Sequence, residues 1–210
     1  MRLPIVIIGA GGHAKVVVEI IDSMGIYEIF GCTDLKKDNT LKEYGIHYIG
    51  SDDDLKNIFG NVKCAAMGVG GISNLYRQNL YQKIKSMGFQ FPVLRHKSCL
   101  ISKDVSIEEA TVIMPGVIIN PGTKIGTNVI INTGAVVEHD CIIEDSAQIG
   151  PGAILCGGVK IAKRAYIGAG ACILPGISID EDTIVGAGAV VTKNLKSNSK
   201  VVGNPARELK

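Results

Sequence analysis

The sequence predicts an α/β Rossmann-like domain over residues 1–95, followed over residues 96–210 by a parallel β-helix, a solenoid of hexapeptide repeats. Three observations carry that prediction. From Ile101 to Val191 an Ile, Val or Leu recurs at every sixth residue, sixteen times without a break. Four residues after each of them stands something small or branched, among them Thr111, Val129, Ala147 and Ala165. Ahead of the array, an apolar run from Ile5 to Ile8 opens onto Gly9-Ala10-Gly11-Gly12-His13-Ala14. A helix repeats about every 3.6 residues and a flat strand every two, so neither yields a period of six; a hexapeptide solenoid does.

Taken in order, Leu3 to Ile8 reads as a buried strand, too short to span a bilayer. The glycine turn leads into a helix with Val17, Ile20, Ile21 and Met24 on one face. Gly9-x-Gly11-x-x-Ala14 fits a dinucleotide-type fingerprint with Ala in the third place. Glycine permits the tight turn and close backbone approach, and N–H groups at the helix start then meet a phosphate. A second strand, Ile29 to Thr33, ends on Asp34, where a carboxylate commonly receives a ribose hydroxyl. Asp52-Asp53-Asp54-Leu55 opens a short helix, and a strand from Lys63 to Met67 runs into a second glycine loop, Gly68-Val69-Gly70-Gly71. A helix is expected from about Asn74 to Ser86 and a last strand from Phe89 to Leu94. Such units in series gather their ligand loops at the C-terminal ends of the strands. There is room for about half of a dinucleotide fold, so a mononucleotide fits better than NAD.

In the solenoid three hexapeptides make one coil of a triangular prism, so sixteen repeats give about five coils, stacked roughly 4.8 Å apart. The aliphatic residues point inward, and the residues four further on line the rest of the interior. The third position of each hexapeptide falls at a corner, where chemistry reaches solvent. Counted in steps of eighteen, His139, Gly157, Pro175 and Lys193 form one column, and Thr133, Pro151, Ala169 and Ala187 another. The second column loses its side chains as it advances, which leaves a shallow track for an extended ligand.

Composition excludes several classes of function. With 22 basic and 20 acidic residues the net charge is +2, too balanced for nucleic acid or an anionic membrane as the main partner. Trp is absent, which disfavours a base-stacking platform. The six cysteines show no C-x-x-C pair and no metal-type spacing; they read as reduced, small hydrophobic residues of a cytoplasmic protein, and no metal is expected.

His139 is the only histidine of the repeat region, preceded by Glu138 and followed by Asp140. A neighbouring carboxylate stabilises an imidazolium as it forms, which suits the ring to act as a base. A histidine on a solvated corner is the alternative reading of the same residues.

The array with Asn132-Thr133 and Glu138-His139-Asp140-Cys141, and the ending Val202-Gly203-Asn204-Pro205-Ala206-Arg207, resemble the bacterial hexapeptide-repeat acyltransferases. Joined to Gly9-Ala10-Gly11-Gly12-His13, Asp34 and His96-Lys97-Ser98, they resemble the sialic acid O-acetyltransferase subfamily, which includes UDP-4-amino-sugar N-acetyltransferases of the bacillosamine and perosamine type. The resemblance implies a left-handed β-helix, a homotrimer, and active sites between neighbouring prisms, with acetyl-CoA along the groove. It makes His139 the general base and Asp140 its supporting carboxylate. It assigns a UDP-linked sugar to Gly11, Gly12, His13, Asp34 and Gly70, helped by Asn132, and backbone contacts with acetyl-CoA to Ala169 and Ala187. Where N-acetyltransferases of this type carry a second histidine, this chain has Gln148, whose amide can donate a hydrogen bond near the thioester but cannot titrate.

The resulting expectation is direct attack of a sugar amine on acetyl-CoA, the oxyanion being met by backbone N–H groups with Gly157 as the candidate. The alternatives are O-acetylation of a sialic acid-like or other hydroxyl acceptor, a non-catalytic nucleotide-sugar-binding trimer, and a nicotinamide oxidoreductase.

Overall fold

The computed structural model describes residues 2–35 and 41–209. The chain divides into two compact units, Met1–Lys97 and Ser98–Lys210.

The first unit is built on a four-stranded parallel sheet. Its elements are β1 (Leu3–Ile8), α1 (Gly12–Met24), β2 (Tyr27–Thr33), β3 (Tyr48–Gly50), α2 (Leu55–Ile58), β4 (Cys64–Met67) and α3 (Asn74–Ser86), and the strand order is β3-β2-β1-β4. β1 is central, and Ile5 to Ile8 are fully buried. Pro4, which has no N–H to give, lies one residue before β4 begins to pair at Ile5↔Cys64. Ala14, Val17, Ile20 and Ile21 bury the expected face of α1. The order reverses between β1 and β4, so the loops after those two strands flank the topological switch point, where open α/β sheets take their ligands.

Asp52–Asp54 opens the expected short helix as a 3-10 turn, which α2 continues from Leu55. One expectation is corrected here. The segment from Phe89 to Leu94 is not a continuous strand: one bridge joins Gln90 to Cys64, and extended pairing returns only at Leu94–Arg95. Pro92 removes a ladder donor in the middle. Phe89 and Phe91 meanwhile pack edge-on against Phe59 and Tyr81, with ring centroids 5.1 and 5.0 Å apart. Strand β3 is an addition that the sequence pattern did not announce.

The second unit is the solenoid. Each coil contributes three two-residue strands, and the second residue of each is the aliphatic of the repeat. One face stacks the pairs beginning at Leu100, Ile118, Val136, Ile154, Cys172 and Val190; the next, those at Ser106, Lys124, Ile142, Lys160 and Ser178; the third, those at Val112, Ile130, Gln148, Tyr166 and Ile184. All these pairs are parallel and in register at eighteen residues, as in Val136↔Ile154. The interior from Ile113 to Val191 is close to fully buried.

Polar residues at the small inner positions satisfy themselves on backbone. Thr111 Oγ1 donates to Gly126 O at 2.7 Å and accepts from Val129 N at 3.1 Å. The fourth residue of a repeat takes the left-handed region at corner after corner, as at Asn128 (φ 55°), Asp140 (φ 58°) and Asp182 (φ 56°). At the C-terminal end Lys200–Val202 continues the third face, and Arg207–Glu208 folds back on it antiparallel, with Ala206 buried, which closes the open end of the core. No helix among the described residues is long and apolar enough to cross a membrane.

Candidate active site

In the first unit a cavity of about 410 Å³ opens over the C-terminal ends of the sheet. Gly11, Gly12, His13, Asp34 and Gly70, the residues picked out from sequence, all line it, together with Gly9, Leu35, Asp52, Gly68, Val69, Gly71, Tyr76 and Leu80. The two glycine loops are fitted to each other. A Cβ on Gly9, at φ +94°, would lie 2.6 Å from Val69 Cγ2, and one on Gly68 would lie 2.6 Å from Gly9 O. Gly11 and Gly12 differ: nothing stands within 4 Å of where their Cβ atoms would be. Their smallness leaves room for an occupant.

Asp34 also braces the first glycine loop. Its Oδ2 accepts the N–H of Ala10 at 2.7 Å, so the carboxylate pins the first glycine loop from the neighbouring strand. His13, on the first turn of α1, lies against Gly70, and its Nε2 is shielded from solvent with no hydrogen-bond partner among the described residues. Burial, and then the charge of nearby Arg77, lower its pKa from 6.5 to about 4. The ring is therefore neutral at ordinary pH. Arg77 is itself buried, which lowers its pKa to about 9, and it donates to Asn74 Oδ1 at 3.0 Å.

In the solenoid His139 and Asp140 occupy an exposed corner, with His139 Nδ1 2.9 Å from Asp140 Oδ2. That contact occupies Nδ1 and leaves Nε2 for chemistry. Glycines on both neighbouring coils make the arrangement possible. A Cβ on Gly157 would lie 2.6 Å from His139 Nε2, so the ring rests across Gly157, while Asp140 Oδ1 occupies the space that a side chain on Gly122 would need. Gly157 N–H donates to no group among the described residues. Next along the chain, Cys141 is no rival nucleophile: it is fully buried, its Sγ donates to Cys156 O at 3.3 Å, and burial pushes its thiol up to about 11.

A second corner carries the small-residue track. Thr133, Pro151, Ala169 and Ala187 are all exposed there, and the N–H groups of Ala169 and Ala187 donate to nothing among the described residues. Beside them runs a column that the sequence reading passed over: Gly150, Gly168 and Gly186. A Cβ on Gly168 would come within 2.5 Å of Ala187 N, so these glycines let successive coils close up and keep the track smooth. Asn132 heads that column; its Oδ1 accepts from Thr133 N at 2.9 Å, and its amide nitrogen donates to nothing among the described residues. Gln148 starts a strand pair on the third face, is 5% exposed, and its Oε1 has no partner among the described residues.

The corners of His139 and of Ala169 are the two ends of one prism face. At about 3.3 Å per residue they stand roughly 15–20 Å apart, so one prism does not bring them together. Asp52 and Tyr76 are cavity residues that sequence reasoning missed as site groups. The signal for Asp52 lay in the acidic triplet, read there only as the opening of a helix.

An α/β cavity with phosphate-type loops, joined in sequence to a hexapeptide prism with a histidine–aspartate corner, defines a group-transferring enzyme class. Residues 4–84 match the PglD N-terminal domain family, and residues 104–139 and 140–174 match the bacterial transferase hexapeptide family (six repeats). Similar solved structures include a histidine-to-alanine variant of GDP-perosamine N-acetyl transferase from Caulobacter crescentus in complex with CoA and GDP-perosamine. It is 36% identical over 99% of this chain and 97% of that one, with a TM-score of 0.94. The acetyltransferase domain of PglB from Neisseria gonorrhoeae FA1090, in complex with acetyl coenzyme A, is 31% identical over 100% of both chains, with a TM-score of 0.93. WeeI from Acinetobacter baumannii AYE is 28% identical over 99% of this chain and 100% of that one, with a TM-score of 0.88. The chain belongs to the bacterial hexapeptide-repeat sugar acetyltransferases, whose α/β domain precedes a left-handed β-helix.

Proposed function

We propose that this protein transfers the acetyl group of acetyl-CoA to the amine of a nucleotide-linked amino sugar, with His139 as the general base. The observation that carries the proposal is the His139–Asp140 corner: Nδ1 is held by a carboxylate at 2.9 Å, and Nε2 lies open over a glycine. Asp140 fixes the tautomer in which Nε2 presents its lone pair. The amine attacks the thioester carbonyl and a C–N bond forms, while Nε2 takes the proton from nitrogen. The N–H of Gly157 faces the developing oxyanion. Collapse of the tetrahedral intermediate breaks the C–S bond, and the proton passes from His139 to the departing thiolate of CoA.

Gly11, Gly12, His13, Asp34 and Gly70 hold the nucleotide sugar, with α1 offering its N-terminal N–H groups to the diphosphate. Asn132 gives its amide N–H to the sugar. Ala169 and Ala187 give their unused N–H groups to the pantetheine arm, and Gln148 donates near the thioester. Because the His139 corner and the Ala169 corner lie at opposite ends of a face, a second copy must supply one of them, which favours a homotrimer with shared sites. The sequence resemblance points to a UDP-linked sugar, whereas the Caulobacter enzyme was captured with a GDP-linked one.

The test is release of the CoA thiol, followed together with the mass of the sugar product. Release should require both acetyl-CoA and a nucleotide-linked amino sugar, and the product should gain one acetyl group on nitrogen. Equal turnover of the parent sugar bearing a hydroxyl in place of the amine would overturn the amine assignment.

A further inference from the structure

Building on the acetyl-transfer reading above, we infer that Glu138 is the residue that selects an amine as acceptor, its carboxylate taking one N–H of the incoming amino group while His139 Nε2 takes the other. Glu138 stands one residue before His139, just after the strand pair Val136–Val137. Its backbone is fixed on both sides: the N–H donates to Leu155 O at 2.9 Å, and the carbonyl accepts from Thr123 Oγ1 at 3.0 Å. Val137 is buried inside the prism, so by alternation along the strand the Glu138 side chain points outward, and the residue is half-buried.

No hydrogen bond or ion pair reaches that carboxylate among the described residues. The face around it is largely apolar, with Ile118, Ile154, Cys156, Cys172 and Leu174 on the neighbouring coils and Asn120 one coil back. Residues 118–120, 136–138, 154–156 and 172–174 contain no lysine or arginine. A carboxylate in such surroundings is costly to cover unless an occupant donates to it. In the proposed reaction the group that arrives at this corner is the acceptor of the sugar, and an amine brings the donors.

Glu138 also lies beside the reacting centre. One coil on, roughly 4.8 Å away, its partner in register is Cys156, and the next residue is Gly157, across which the His139 ring rests. Burial, Cys172 and then the charge of Glu138 raise the Cys156 thiol, which puts the carboxylate close to that residue. Base and carboxylate therefore flank one spot at the corner.

A primary amine carries two N–H groups and a lone pair. One N–H donates to Glu138, the other to Nε2, and the lone pair faces the thioester carbonyl. As the C–N bond forms, nitrogen gains positive charge, which Glu138 stabilises until Nε2 removes one proton. The amide product keeps the other hydrogen. A hydroxyl has a single hydrogen; once it is given to Nε2, oxygen lone pairs are left against a carboxylate. Glu138 thus selects nitrogen over oxygen, a choice that His139 alone does not make.

The test is steady-state acetyl transfer by the full-length protein, Glu138→Gln and Glu138→Leu, with a nucleotide-linked amino sugar as acceptor and its hydroxyl parent as competitive inhibitor. Glu138→Leu should lower kcat/KM for the amino sugar by roughly ten- to a hundredfold. The inhibition constant of the hydroxyl sugar should stay level or fall. Glu138→Gln, which restores an acceptor without the charge, should recover part of the loss. Both variants should keep the thermal midpoint and the KM for acetyl-CoA of the wild type. Equal turnover by all three proteins, or a parallel loss of amine turnover and of hydroxyl-sugar binding, would overturn the role of Glu138 while leaving acetyl transfer in place. If the wild-type protein acetylates neither sugar, the transfer reading falls and this inference with it.

Discussion

His139 and His13 show how position decides what a histidine does. His139 is exposed, with a carboxylate on Nδ1 and a glycine under its ring. Asp140→Asn should leave the fold intact yet lower kcat by at least roughly tenfold, because the tautomer is no longer enforced. A steady-state comparison at saturating substrates checks this, and KM for acetyl-CoA should barely move. His13 is held neutral by burial, and the sign of its effect on stability follows. In the unfolded chain it takes a proton near 6.5, in the folded protein only near 4. Between those values the unfolded chain binds more protons. The stability tied to neutral His13 is intact above pH 6.5 and is lost as pH falls toward 4, with an upper bound of about 3 kcal/mol. His13→Gln should flatten the dependence of the urea midpoint between pH 7 and pH 4.5; parallel curves for the two proteins would remove His13 as the cause.

At the scale of elements, two glycines should separate catalysis from folding. Gly157→Ala places a Cβ 2.6 Å from His139 Nε2, against an exposed side chain that is able to swing away. It should cost up to roughly a hundredfold in kcat and leave the thermal midpoint nearly unchanged. Gly168→Ala meets backbone at 2.5 Å and cannot be relieved that way; it should lower stability by about 1–3 kcal/mol, read from the midpoint of thermal unfolding. The hexapeptide period was fully legible because a fixed inward residue every sixth position has no other structural source. The buried face of α1 was legible from its helical spacing, and the bounds of α3 were legible as well. The interrupted segment from Phe89 to Leu94 was not, since two buried aromatic residues and Pro92 look alike in an edge strand and in a packed loop. Nor was β3, three residues long and half-buried throughout. Within the sites, His139, Asp140 and the cavity glycines were legible from motif and column. Gly122, Gly150, Gly168 and Asp52 were not, because their roles depend on which coil or strand lies beside them.

For the whole molecule, the proposed function, with a base at one corner and a cofactor track at another, requires shared sites between copies. Ala187→Tyr should block the exposed track, and His139→Ala should remove the base. Co-expressed, the two inactive chains should regain about a quarter of normal activity through interfaces that pair one intact corner from each. Complete inactivity of the mixture would place both corners within one subunit's site. The most direct test of the central claim is the pre-steady-state rate of CoA thiol release by His139→Ala, with acetyl-CoA and a nucleotide-linked amino sugar both saturating. A general base at this position predicts a fall of about a hundred- to ten-thousandfold with nucleotide and CoA binding preserved; release at near the wild-type rate would contradict it.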